Sequence, residues 1–295
     1  MRFLSALVAV GLLSASLGAC AKPVSQNNYA TGPVKAQDAV VTGSVRRVSA
    51  DIGQVMPSRL FHTGALAGRT LQVASTTDII LRPGEVVLTF DDGPRPGRTS
   101  AILDTLDAHG VKATFLMLGS QAEAHPQLAR EVALRGHTVG SHTYGHVDLS
   151  KLSRQEAINE IARGETAIAT ALDGAGDGLS PFFRFPYLAQ TGFLRTSMLQ
   201  GNIVVLDVDI DSKDYYKDSP DTVIQRTLAR LEARGSGIIL FHDIHQRTVE
   251  LLPTFLDDLE ARGYRVVALA PAHPGVFGRS VITANASDAV LSLPD

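Results

Sequence analysis

The sequence predicts an α/β fold, a distorted (β/α)7–8 barrel built as a single domain. Three observations carry this expectation. One supersecondary unit recurs: an amphipathic helix that ends in glycine and is followed at once by a strand. The strands are continuous apolar runs rather than alternating ones, as expected when helices cover the faces of a parallel sheet. Every suspicious polar cluster lies just after a strand, where barrels place their chemistry, which favours a barrel over a doubly wound open sheet.

The elements follow in chain order. Met1 to Ala19 reads as a targeting segment, with Arg2 as its positive start and an apolar stretch from Phe3 to Leu17. At roughly 15 residues that stretch is too short to span a bilayer. It closes on Leu17-Gly18-Ala19-Cys20, which resembles a bacterial lipobox and places the single cysteine where such a box requires it. The resemblance implies cleavage before Cys20, lipidation of its sulfur and new amino group, and firm attachment to a membrane surface. Ala21 supplies no acidic retention signal, which points to the outer membrane of a bacterial envelope, facing the periplasm. Conventional secretion is the competing reading, because Ala19-Cys20-Ala21 also fits a small-x-small cleavage site. Residues 20–58 lack periodicity and read as a flexible tether. The main domain is expected over 59–270, beginning with an edge strand near Thr70–Val73, and 271–295 reads as a loose tail.

Within the domain, helices ending at Gly110, Gly136, Gly201, Gly235 and Gly263 run into strands at 113–117, 138–139, 203–206, 238–241 and 265–269. Glycine is favoured just past a helix because it accepts the left-handed conformation. Ser153-Arg154-Gln155-Glu156 is a capping box ahead of Ile158, Ile161, Ile168 and Leu172, which share one helical face. Ser219-Pro220 is an N-cap with proline at the first helical position, ahead of Val223, Ile224, Leu228 and Leu231. About seven strand–helix units of this kind imply parallel strands joined by right-handed crossovers. Composition agrees with a globular domain, at 44% apolar residues. A net charge of −3 without a basic run argues against a nucleic-acid surface.

Five clusters carry candidate chemistry. The strand Val86–Phe90 runs into Asp91-Asp92-Gly93-Pro94. Adjacent carboxylates repel and resist desolvation, so either a turn or a metal and a proton must use them. His142 and His146, four apart, can share one face of a helical turn and grip one metal. Arg184 sits inside the apolar run Phe182–Tyr187; it either pairs with a buried carboxylate or stacks on the phenylalanines and reaches solvent. Asp207, Asp209, Asp211 and Asp214 follow a strand, and one of them can orient a histidine while the rest cap helices or face water. The run Ile238–Phe241 ends in His242-Asp243, where a histidine can give or take protons near neutral pH.

Together these clusters resemble the polysaccharide deacetylases, the NodB-homology domain or carbohydrate esterase family four, over about residues 84–270. Thr-Phe-Asp-Asp-Gly-Pro at 89–94 is specific to that family, and His-Thr-x-x-His and Leu-Phe-His-Asp agree with it. The resemblance implies one divalent metal, commonly Zn²⁺ although Co²⁺ also serves, and a glycan substrate carrying N-acetyl groups. It implies that Asp91 is the general base and that Asp92, His142 and His146 are the metal ligands. Arg184 would tune the base, the Tyr187 N–H would stabilise the oxyanion, and Leu240 would line the acetyl pocket. Asp214 would tune His242, the general acid. Two positions depart from the family pattern: Tyr215 stands where tryptophan is usual, and Leu188 where glycine is usual. The expected reaction is N-deacetylation of a cell-envelope glycan, either peptidoglycan or a chitin-like or β-1,6 chain. Deacetylation of a small acetylated amine and a catalytically inactive glycan-binding lipoprotein are the alternatives.

Overall fold

The computed structural model describes residues 66–273. The targeting segment, Cys20, the tether and all but the first three residues of the tail lie outside the described residues. Among the described residues nine strands alternate with seven helices and short 3₁₀ turns. The strands are β1 (Ala67–Val73), β2 (Glu85–Asp91), β3 (Thr114–Met117), β4 (Thr138–Ser141), β5 (Leu179–Phe183), β6 (Val204–Val205), β7 (Ile210–Asp211), β8 (Gly237–His242) and β9 (Arg265–Pro271). The helices are α1 (Thr99–Ala108), α2 (Gly119–Ala124), α3 (Pro126–Leu134), α4 (Arg154–Ala171), α5 (Gly192–Gln200), α6 (Pro220–Arg234) and α7 (Gln246–Ala261).

Every strand pairing among the described residues is parallel. The order β6-β5-β4-β3-β2-β8-β7 wraps nearly into a barrel, with β9 and β1 joined at β2. Among the described residues no pairing joins β6 to β7, so the wall has one open seam. The segment after β1 reaches that seam: Thr76 Oγ1 donates to the Val205 carbonyl at 3.1 Å, and Ile79 and Leu81 pack on the inner cluster.

Side chains alternate across each strand with period two. On β2 the outward residues Leu88 and Phe90 join the helix-facing core, whereas Val87 joins the inner cluster with Phe182 and Ile238. The outer core is tied by ring contacts of Phe90 to Phe115 (5.0 Å) and to Phe241 (5.9 Å), and of Phe241 to Phe255 on α7 (5.3 Å). Phe90 is fully buried; truncating it to alanine is expected to cost about 3–5 kcal/mol.

The helix signals hold in detail. Ser153 and Glu156 form the reciprocal capping box, and Ile158, Ile161, Ile168 and Leu172 are buried. Ser219 caps α6, and Gly235 closes it at φ 88° with its N–H on the Leu231 carbonyl. Gly201 does not follow this rule: its φ is −82°, and the left-handed turn falls on Asn202 at φ 55°. Asparagine is one of the few residues that tolerates that conformation. Two strands are shorter than expected. The run to Tyr187 leaves the sheet after Phe183, and only Val204–Val205 pairs in the run 203–206.

Candidate active site

The same alternation that buries Val87 turns Asp91 inward at the end of β2, and it turns His242 inward at the end of β8 above Ile238 and Leu240. His142 and Arg184 each follow the last residue of their strand. Four strand ends therefore deliver their polar side chains to one mouth of the barrel.

Asp91 and Arg184 are both nearly inaccessible, at 2% and 1% exposed. Arg184 Nη1 donates to Asp91 Oδ1 at 2.7 Å and to Thr89 Oγ1 at 2.8 Å, while Nε donates to the Leu206 carbonyl at 3.0 Å. Thr89 passes its own proton to the Ile239 carbonyl at 2.8 Å. The arginine is thus bonded to β2 and to the end of β6, and its charge is balanced by Asp91 rather than by solvent.

Asp92 has φ 78°, and this left-handed residue separates the two carboxylates. Its Oδ1 lies 3.6 Å from His142 Nε2 and 3.4 Å from His146 Nε2. That oxygen is buried and has no hydrogen-bond partner among the described residues. Two ligand atoms about 2 Å from a shared tetrahedral ion lie about 3.3 Å apart, so the spacing fits a metal better than a hydrogen bond. The ligand atoms of Asp92, His142 and His146 all fall within 4.8 Å of one another. His142 Nδ1 sits 2.8 Å from the Arg184 carbonyl. A carbonyl only accepts, so Nδ1 carries the proton and Nε2 presents its lone pair to the cluster. Burial also pushes the His142 pKa down, which keeps it neutral as a ligand must be. The residues present fit a divalent metal.

The histidine pair is not on a helical turn. Residues 142–146 form a loop in which Thr143 (φ 73°) and His146 (φ 57°) are both left-handed. Two helices hold it there. The Gly119 and Ser120 amides donate to the Thr143 and Tyr144 carbonyls at 2.8 and 3.0 Å. The α4 backbone approaches so closely that a Cβ on Gly164 would lie 2.4 Å from the Thr143 carbonyl carbon.

On the opposite side, His242 Nδ1 is 2.7 Å from Asp214 Oδ1. The other oxygen of Asp214 accepts from the His242 amide at 2.8 Å and from Thr248 Oγ1 at 2.6 Å. Burial opposes charge on both partners, but the hydrogen bond and charge of Asp214 win at His242 and hold its pKa up near 9. Burial also raises Asp214, yet His242 and Thr248 bring it net below its ordinary value. Of the candidate aspartates, then, Asp214 is the one that meets the histidine. Asp207 pairs with Arg195, and Asp209 with Arg234 and the Ile238 amide.

Tyr187 and Leu188 turn through a short 3₁₀ segment with φ 57° and 55°. A left-handed leucine costs about 1–2 kcal/mol, which explains physically why glycine is usual there. The Tyr187 ring packs edge-on to His146 at 4.5 Å. Tyr215 stands edge-on to His242 at 5.4 Å and donates its hydroxyl to Asp211. Leu240, 5% exposed, lies on the His242 face of β8 beneath the acid pair.

Several residues were not singled out from the sequence. Thr89 is part of the first motif but gave no sign of contacting the arginine. Thr248 lies in the first turn of α7 and is recognisable only through the fold. Asp243 carries its carboxylate against Gly93, takes the Thr99 hydroxyl at 2.6 Å, and has its pKa pushed up to about 7 by burial.

Comparison with known proteins decides the family. The polysaccharide deacetylase model matches residues 80–202. A chitin deacetylase of Colletotrichum lindemuthianum is 34% identical over 229 residues, covering 70% of this chain and 90% of that protein. This chain belongs to the polysaccharide deacetylase family. Among solved structures, the Bdellovibrio bacteriovorus peptidoglycan deacetylase Bd3279 is 34% identical with a TM-score of 0.61, over 72% of this chain and 57% of that one. A peptidoglycan-N-acetylglucosamine deacetylase of Listeria monocytogenes is 35% identical over 62% of this chain, which spans only 38% of that relative. The family's hydrolysis of an amide C–N bond matches the groups this deacetylase brings together.

Proposed function

We propose that this deacetylase is a metal-dependent hydrolase that removes N-acetyl groups from an N-acetylglucosamine-containing polysaccharide of the cell envelope. The observation that carries the reading is the division of labour between adjacent carboxylates. Asp92 faces two imidazoles with an Oδ1 that has no hydrogen-bond partner among the described residues, while Asp91 is held by Arg184.

Asp92, His142 and His146 would hold a divalent ion such as Zn²⁺ or Co²⁺, which would supply Lewis acidity towards the acetyl carbonyl and the attacking water. Arg184 fixes Asp91 Oδ1, which leaves Oδ2 on the ligand side, 3.7 Å from His142 Nε2. Asp91 is thereby placed to take the proton of the attacking water. The water oxygen adds to the acetyl carbon, and the Tyr187 N–H stabilises the resulting oxyanion. Collapse breaks the C–N bond, releasing acetate, while His242 donates its proton to the departing amine. With Nδ1 on Asp214, the transferable proton is on Nε2. Leu240 meets the acetyl methyl and Tyr215 walls the cleft. The rim residues Tyr187, Leu188, Tyr215 and Tyr216 are all exposed, which favours an open groove for a polymer over a capped pocket for a small acetylated amine. Lipidation at Cys20 would hold the enzyme at the envelope, where such a polymer lies.

The test is acetate release by the purified enzyme from peptidoglycan, chitooligosaccharides and β-1,6-linked N-acetylglucosamine. Release is expected to stop on chelation and return with Zn²⁺ or Co²⁺. Activity that survives metal stripping would refute the metal-dependent reading.

A further inference from the structure

The loop after β7 presents a second binding feature beside the acid pair. Tyr215, Tyr216 and Lys217 are exposed at its far end, and the stretch leading to them is strongly braced. Four consecutive carbonyls accept from arginines: Asp211 from Arg230, Ser212 from Arg226 at 3.0 and 2.9 Å, Lys213 from Arg226 at 3.1 Å, and Asp214 from Arg247 at 2.7 Å. These bonds fix Lys213 in a left-handed conformation at φ 57°. A loop held this firmly keeps its side chains pre-positioned, which lowers the entropy a ligand must overcome on binding.

Tyr216 is 49% exposed and stacks edge-on against Tyr215 at 4.9 Å, one ring further from His242. The Lys213 ammonium lies 5.5 Å from the centre of that ring. The acidic residues of the segment are already engaged. Asp211 takes the Lys213 amide and the Tyr215 hydroxyl, Asp214 holds His242, and Asp218 pairs with Arg226. Lys213 and Lys217 form no ion pair among the described residues. An amide and a hydroxyl leave the charge of Asp211 in place, so against it stand Lys213 and Lys217, and this edge of the groove presents an aromatic face with a net positive charge.

We propose that Tyr216 and Lys213 form a subsite for the sugar next to the one being deacetylated, and that the subsite selects a sugar bearing a carboxylate. The inference rests on the polysaccharide deacetylase reading and deepens it. Tyr216 offers an apolar ring to a sugar face, and Lys213 offers a cation to an acidic substituent such as the lactyl carboxylate of peptidoglycan glycan strands that carry no stem peptide. Chitin-like chains have no such group.

The test compares steady-state acetate release from peptidoglycan glycan strands without stem peptides and from neutral chitotetraose, using wild-type, Lys213→Met, Lys213→Arg and Tyr216→Ala proteins. Lys213→Met is expected to raise KM for the carboxylate-bearing strands about tenfold more than for chitotetraose, with kcat on those strands little changed. Lys213→Arg, which keeps the charge, should preserve the wild-type ratio of the two KM values. Tyr216→Ala should raise KM for both. Added salt should weaken the preference of the wild type for the acidic strands. An unchanged KM ratio in Lys213→Met, with both substrates still deacetylated, overturns the subsite alone. Acetate release from neither substrate by the wild type overturns the deacetylase reading and this inference with it.

Discussion

The Asp92–His142–His146 side of the cleft is held by backbone, whereas the His242–Asp214 side is held by side-chain hydrogen bonds. On the first side three residues sit at left-handed φ, Asp92, Thr143 and His146, and helices α2 and α4 press against the loop through glycines. On the second side the histidine ends a regular strand, and Asp214 is fixed by His242 and Thr248. The contrast follows from the tasks. Metal ligands must converge within a few tenths of an ångström, and strained backbone in a packed frame can impose that. A proton donor needs the right charge and direction, which a buried carboxylate supplies.

The largest expected effect separates the adjacent carboxylates. Asp91→Asn should lower turnover by about 10²–10⁴-fold while metal affinity stays near wild type. His142→Ala should lose both metal and turnover. Acetate assays paired with metal content by elemental analysis read the two outcomes. If Asp91→Asn released the metal, the division between the carboxylates would be wrong.

The next effect is on pH dependence and belongs to the other side. His242 must be protonated to act as acid, and its pKa near 9 keeps it so through neutral pH. The kcat/KM profile should therefore fall as pH rises through about 9. In Asp214→Asn, burial acts on His242 without its counter-charge, so the alkaline limb should move to lower pH, with activity down about 10²-fold. Stability should follow the same sign. A histidine whose folded pKa is raised contributes stability that is full below its unfolded value, roughly 6.5, and is lost as pH rises towards the folded value. Asp243, raised to about 7, destabilises progressively as pH rises to that point, so the window above pH 7 isolates His242. Wild-type Tm should decline between pH 7.5 and 9 more than that of Asp214→Asn. Parallel Tm curves would break the assignment.

The legibility of the two sides differed for the same reasons. The residues that carry charge are visible in sequence, because Asp91-Asp92 and His242 end apolar runs and a buried carboxylate is one of the two readings of Arg184. The shape of the metal loop was not visible. Histidines at i and i+4 suggest a helical turn, but the loop 142–146 takes its form from Gly119 and Gly164, one on each of two helices, and from the Thr143 and Tyr144 carbonyls that the α2 amides bond. Local pattern leaves open which of Asp207, Asp209, Asp211 and Asp214 serves His242; the family resemblance points to Asp214, and the pairing of β7 with β8 is what brings it to the β8 end. Thr248 carries no local signal, and Thr89, although inside the first motif, gives no sign of its bond to Arg184. The barrel itself was legible because each helix–strand unit declares its ends locally, with Gly201 and Asn202 as the exception.

The smallest effect tests whether packing against the backbone sets the metal geometry. Gly164→Ala would place a Cβ 2.4 Å from the Thr143 carbonyl carbon, so the loop or α4 must move. Overpacking of this kind costs about 1–3 kcal/mol, and displacement of the ligands should weaken metal binding about tenfold. Gly192→Ala at the start of α5 is the matched control: a Cβ there meets nothing within 4 Å, and the substitution should be neutral or stabilise by up to about 1 kcal/mol. Calorimetric titration of metal into the two apo proteins, with Tm measured alongside, distinguishes a shifted ligand set from a general loss of stability. If Gly164→Ala lowers Tm but binds metal with wild-type affinity, the loop is positioned by its own left-handed residues and the helices only cover it.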